Sequence, residues 1–220
     1  MPLYTADALV LRTYKLGEAD RIVVFFTRDR GKKRGVAKGA RRSRSRFAGA
    51  LEPLTEARIA YFETERRELV GLNYAEVRRS PLAVAHSETG ADVLGHVGYF
   101  AELLDEWAAD GDADERLYRL GASMVDALDA GVPVEPLARY FEYWLLRLQG
   151  VYPEARGTLS AGAAAFLAAS RALPPHRVGE APADDRVIDE LRATHRTLIG
   201  LHLEKTLKSE RVLRDLRRYA

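Results

Sequence analysis

A chain of 220 residues, 47% of them hydrophobic, has room for one large domain or two small ones and enough apolar content for a core that needs no staples. Cysteine is absent, which excludes disulfides, thiolate zinc sites, iron–sulfur clusters and cysteine nucleophiles. The net charge is only +2, yet residues 1–80 carry 18 basic and 10 acidic side chains while residues 81–220 carry 16 and 22, so the chain divides into a basic and an acidic part.

The opening MPLYTADALVLRTY has no basic segment ahead of an apolar core, and no apolar run approaches the roughly 20 residues of a membrane span. A soluble, cytoplasmic protein is the expectation. Residues 5–12 (TADALVLR) read as a strand, followed by the Gly-containing turn YKLGEAD. Residues 21–27 (RIVVFFT) are β-branched and aromatic without alternation, which predicts a buried central strand. Turn chemistry at 29–31 lets residues 33–37 return as a third strand in a hairpin with the second. Residues 54–62 alternate with a period of two, ETERRE makes a turn, and residues 69–75 (LVGLNYA) supply a fifth strand. Five short strands with charged connections predict a small closed barrel of the OB type rather than a sandwich, which usually needs about seven.

Beyond Ser80-Pro81 the periodicity becomes helical. Val97, Phe100, Ala101, Leu104 and Trp107 mark one helix, DGDAD ends it and caps the next at 115–130, and Gly131 and Pro133 stop that one. Residues 134–149 carry the clearest apolar stripe, with Leu137, Tyr140, Phe141, Trp144, Leu145 and Leu148, and are expected to be the core helix of a second domain. Ser160 caps an alanine-rich helix, residues 174–183 form a proline-rich loop, and Asp184 or Asp185 caps a long helix with His195 and His202 on its apolar face. Ser209 opens a last short helix bearing Arg211, Arg214, Arg217 and Arg218. The expected architecture is α+β in two domains: an OB-type five-stranded β-barrel over 1–80 and an all-α helical domain over 81–220.

The functional signal is the segment 28–46, RDRGKKRGVAKGARRSRSR. Ten basic residues stand there against one acid, +9 locally, which leaves −7 for the rest of the chain. Such packing of like charge suits a polyanionic partner, although charge runs are also often solvated faces. Gly31, Gly35 and Gly39 would let backbone approach phosphates, Ser43 and Ser45 would bond phosphate oxygens, and Phe47 would stack on a base. Lys32, Lys33, Arg34, Lys38, Arg41, Arg42, Arg44 and Arg46 are the nucleic-acid-binding candidates.

No GxxxxGK(S/T), GxGxxG, GxSxG or HExxH pattern occurs, His195 and His202 lie too far apart along a helix to share a metal, and the carboxylates scatter. A binding protein is therefore expected rather than an enzyme, with no metal and no cofactor. From composition alone an RNA-binding assembly factor using the same barrel remains an alternative, as does a protein whose helical domain does the work while the basic segment is a solvated arm.

The order and spacing of ALVLRTYKLGEADRIVVFFTRDRG, VAKGARRSRSRFAGALEPL, ELVGLNYAEV and the closing HLEKTLKSERVL resemble those of the bacterial DNA repair protein RecO family. The resemblance implies a recombination mediator, associated with the nucleoid, with an N-terminal OB fold and a helical C-terminal domain. It implies binding of single- and double-stranded DNA, strand annealing, contact with the acidic C-terminal tail of the single-stranded-DNA-binding protein, and association with RecR to help load RecA. The DNA-contacting role carries over to Lys38, Arg41, Arg42, Arg44 and Arg46, where Gly39 and Ser45 also match. Arg211, Arg214 and Arg217 are the candidates for the partner tail. Many relatives insert a four-cysteine zinc module where this chain has only VYPEARGT between Gly150 and Leu159, so no zinc is expected.

Overall fold

The computed structural model describes residues 2–63, 68–82, 90–153 and 159–218. Most of the ETERRE turn and residues 154–158 of the VYPEARGT segment lie outside these.

Five strands form the N-terminal region: β1 (Leu3–Leu16), β2 (Asp20–Thr27), β3 (Gly31–Ala37), β4 (Glu56–Phe62) and β5 (Val70–Arg79). They close into a barrel in the order β1-β2-β3-β5-β4, with β4 returning antiparallel to β1 and all pairs antiparallel except β3 with β5. This is the expected OB-type barrel. Its interior is filled by alternate side chains from every strand, among them Ala8, Val10, Val23, Phe25, Ile59, Tyr61 and Leu72. The unbroken apolar run of β2 has a simple cause. Val23 and Phe25 face the barrel interior, while Val24 and Phe26, equally buried, face outward.

Those outward side chains need a cover, and helices supply it. Helices α1 (Gly90–Trp107) and α2 (Glu115–Asp129) follow, and residues Val97–Val125 form one compact unit with Met1–Leu82. Phe26 meets the Tyr118 ring at 6.0 Å, and Gly121 lets the Leu9 and Leu104 side chains approach so closely that a Cβ there would meet both at 2.7 Å. Charge reinforces the seat: Arg12 on β1 pairs with Asp105 at 2.7 Å and Glu106 at 3.2 Å. The compact units thus divide the chain differently from a boundary at residue 80, because helical periodicity shows that a helix has an apolar face but not which surface that face covers.

The second unit comprises Ala83–His96 and Asp126–Ala220. Helix α3 (Val134–Leu148) is its centre, packed against α4 (Ala161–Ala172), α5 (Asp185–Leu203) and a 3-10 turn at Pro175–Glu180, with α6 (Lys208–Leu216) closing the chain. Ser160 and Asp184 are the expected N-caps, accepting from Ala163 N and Val187 N. The proline-rich loop expected at 174–183 contains that 3-10 turn, since Pro175 suits a first helical position. The last helix begins one residue before Ser209, with Leu207 in the capping place. His195 is fully buried and bonds Glu142 at 2.9 Å, while His202, one helical face but two turns further, is exposed near the end of α5. Glu142 also pairs with the buried Arg139 at 2.8 Å, so a charged network ties α3 to α5. Among the described residues no helix is long and apolar enough to cross a membrane.

Candidate nucleic-acid interface

The basic segment runs through the β2–β3 turn, all of β3 and the long connection toward β4, and the fold sorts its ten cations into two groups. The first four are neutralised. Arg28 pairs with Glu115 at 2.6 Å, Arg30 with Asp29 at 3.7 Å while lying over the Tyr4 ring, and Lys33 with Glu63 at 2.8 Å. Lys32 is mostly buried between Asp105 and Asp110 and donates to the Asp105 carbonyl at 2.6 Å, so it anchors the barrel to the α1–α2 region. The other six, Arg34, Lys38, Arg41, Arg42, Arg44 and Arg46, are exposed and have no carboxylate partner among the described residues.

Local structure explains how those six are held apart. Past β3 the chain leaves the sheet at Gly39, whose φ of 71° requires glycine and whose N–H donates to Asp20 Oδ1 at 2.7 Å. Arg41 N–H donates to the Ala19 carbonyl, and the Arg41 guanidinium donates to the carbonyls of Gly17 and Glu18, which pins the connection to the β1–β2 turn. Ser45 Oγ accepts from Phe47 N, turning the chain inward. Phe47, Ala50 and Leu51 then plug the barrel core. Phe47 is 2% exposed, so it is a core residue and not the stacking platform expected of it; Arg46 lies over its ring at 5.2 Å. Two of the glycines are also packing devices: a Cβ at Gly31 would strike the Asp112 backbone at 2.3 Å, and one at Gly35 would lie 2.9 Å from the Val70 carbonyl oxygen.

A groove of about 620 Å³ opens beside this segment, along the seam where β3 and β5 pair through only Gly35 with Val70 and Val36 with Gly71. Val36, Phe62, Leu69 and Val70 give it apolar walls, and Lys38 and Arg46 bring two of the unpaired cations to it. Sequence reading missed these wall residues. The available signal was Gly71, an isolated glycine inside a strand pattern, a residue that weakens a strand and so asks for a reason.

The C-terminal cations are placed differently. Arg211 and Arg214 are exposed on α6, whereas Arg217 donates to Glu135 Oε1 at 2.9 Å. In the same unit Asp92, His96 and Glu135 come close enough to suggest a cation site, but Glu135 is already engaged by Arg192 and Arg217, and two guanidiniums disfavour a metal there.

The N-terminal model of recombination protein O matches residues 1–81, and the C-terminal model of the same protein matches residues 91–156, so together they take in the barrel and most of the chain as far as the end of α3. The chain belongs to the recombination protein O family. It is 42% identical over 152 residues to the DNA repair protein RecO of Koribacter versatilis (strain Ellin345), covering 69% of this chain and 61% of the relative. It is 37% identical over 155 residues to that of Anaeromyxobacter sp. (strain K), covering 70% of this chain and 60% of the relative. It is also 55% identical over 76 residues to the DNA repair protein RecO of Bifidobacterium adolescentis, covering 34% of this chain and 30% of the relative. The matched stretch thus spans about 60% of the length of the first two relatives.

Proposed function

We propose that this member of the recombination protein O family is a DNA-binding mediator of recombinational repair, acting by binding and not by catalysis. The observation that carries the reading is the sorting of charge: six exposed cations from Arg34 to Arg46 have no carboxylate partner among the described residues, on a barrel face bordered by an apolar groove. An arm evolved only for solubility has no reason to lack acids while the preceding four cations are each paired. OB barrels take oligonucleotides on the face around their second and third strands and the adjoining loops; of this array Arg34 stands on β3 and the other five on the connection that follows it. The names of the relatives, DNA repair proteins, favour DNA over RNA as the polyanion.

The mechanism is electrostatic. Guanidiniums without a carboxylate partner neutralise phosphates and release condensed counterions, giving affinity with little sequence preference for single or double strands. Two strands neutralised on one surface no longer repel each other, so pairing of complementary strands accelerates. On the same reading the helical unit meets protein partners: RecR, and the acidic tail of the single-stranded-DNA-binding protein, for which Arg211 and Arg214 offer charge. The cytoplasm, at the nucleoid, is the corresponding location. The test is the rate at which two labelled complementary strands pair, followed by energy transfer. The native chain accelerates pairing, and a variant with Arg41, Arg42, Arg44 and Arg46 all changed to Ala does so at least about tenfold less. Equal acceleration by both would remove the segment from the mechanism.

A further inference from the structure

We infer that the groove over the β3–β5 seam is a subsite for an unstacked nucleobase, kept open by Gly71, and that it gives the barrel a preference for single strands over duplex. The inference rests on the DNA-binding reading and adds to it a division of labour, phosphates on the cations and bases in the groove. Its volume of about 620 Å³ falls within the range of sites that bury small ligands. The walls are apolar where Val36, Phe62, Leu69 and Val70 line it, and Asn73 contributes an amide that can both donate to and accept from any base edge. Glu68 also lines the groove. A phosphate inside would meet that carboxylate and a greasy wall, whereas the phosphates flanking a base are served by Lys38 and Arg46 at the same groove. A duplex presents only the edges of stacked pairs, so it can reach the cations but cannot fill the groove.

Gly71 is the residue that decides this. It is exposed within β5, opposite Phe62 and Val36, and a Cβ added there meets nothing within 4 Å. No backbone constraint or packing explains a glycine here, and a β-branched residue would suit the strand better. What the missing side chain leaves is open space over the groove.

The experiment measures, by fluorescence anisotropy, the affinities of the native chain and of Gly71→Val for oligothymidine, for a duplex, and for an abasic deoxyribose-phosphate strand of the same length. The native chain should prefer oligothymidine to the abasic strand by roughly tenfold, the order that one stacked base contributes, and Gly71→Val should lose that preference while keeping its thermal midpoint. The ratio of single-strand to duplex affinity should fall with it. Native affinities equal for oligothymidine and the abasic strand would overturn the base subsite while leaving electrostatic DNA binding intact, and this comparison needs no variant to fold. An unchanged ratio in Gly71→Val would overturn it equally. Binding of an acidic peptide carrying one aromatic side chain, lost in Gly71→Val while single-strand preference persists, would give the groove to a protein partner instead. A native chain that binds none of the three nucleic acids would remove the underlying DNA reading as well.

Discussion

Glu135 shows how a single carboxylate can hold several elements of the helical unit. It sits in the first turn of α3, accepts from Arg192 of α5 at 2.8 Å and from Arg217 beyond α6 at 2.9 Å, and lies 3.8 Å from His96 Nε2. Burial alone would raise its pKa, but the hydrogen bond from Arg192 and the charges of His96, Arg192 and Arg217 outweigh burial and bring it from 4.5 down to about 2. A carboxyl whose folded pKa is depressed contributes stability that is present above its unfolded value and is lost as pH falls through the folded one. The window here runs from about 4.5 down to about 2. Urea unfolding at about pH 5 and about pH 3 should therefore show a smaller acid-induced loss in Glu135→Gln than in the native chain, the native chain being the more stable at the higher pH. Equal losses would mean that the three basic partners do not act through this carboxyl.

At the scale of elements, the closing pair of the barrel depends on one position. Gly35 of β3 lies against β5 so tightly that an added Cβ would stand 2.2 Å from Leu72 Cδ1 and 2.7 Å from Val70 Cγ2. Gly35→Ala should cost about 1–3 kcal/mol, the usual cost of overfilling a packed site, read as a lowered urea midpoint of the barrel. An unchanged midpoint would show that β3 and β5 can part without loss. The strands themselves were legible in the sequence. β2 is a run apolar on both faces, β4 alternates, and the turn at Gly31 is punctuated by its neighbours. The roles of the glycines were not legible, because what forbids a side chain at Gly31 is Asp112 and at Gly35 is β5, each far away along the chain. Phe47 was misread for the same reason: a lone aromatic beside arginines looks like a base platform until the core that takes it is known.

For the whole molecule, charge counting singled out the proposed interface but overcounted the cations that folding leaves without a carboxylate partner. Arg28, Arg30, Lys32 and Lys33 belong to the same run as Arg41 and Arg44, yet Glu115, Asp105, Asp110 and Glu63, which neutralise three of them, lie beyond the segment, and only folding brings them there. DNA affinity should therefore follow the six cations without a carboxylate partner and not the full +9. The affinity of labelled single-stranded DNA across a salt series measures this dependence. If about four phosphates are neutralised, the log–log slope of the native chain should be about −3, at roughly −0.7 per contact, and it should flatten toward zero when Arg41, Arg42, Arg44 and Arg46 are all changed to Ala. Replacing Lys32 and Lys33 instead should leave the slope near its native value. Equal slopes in the native chain and the four-arginine variant would move the DNA site off this face of the barrel.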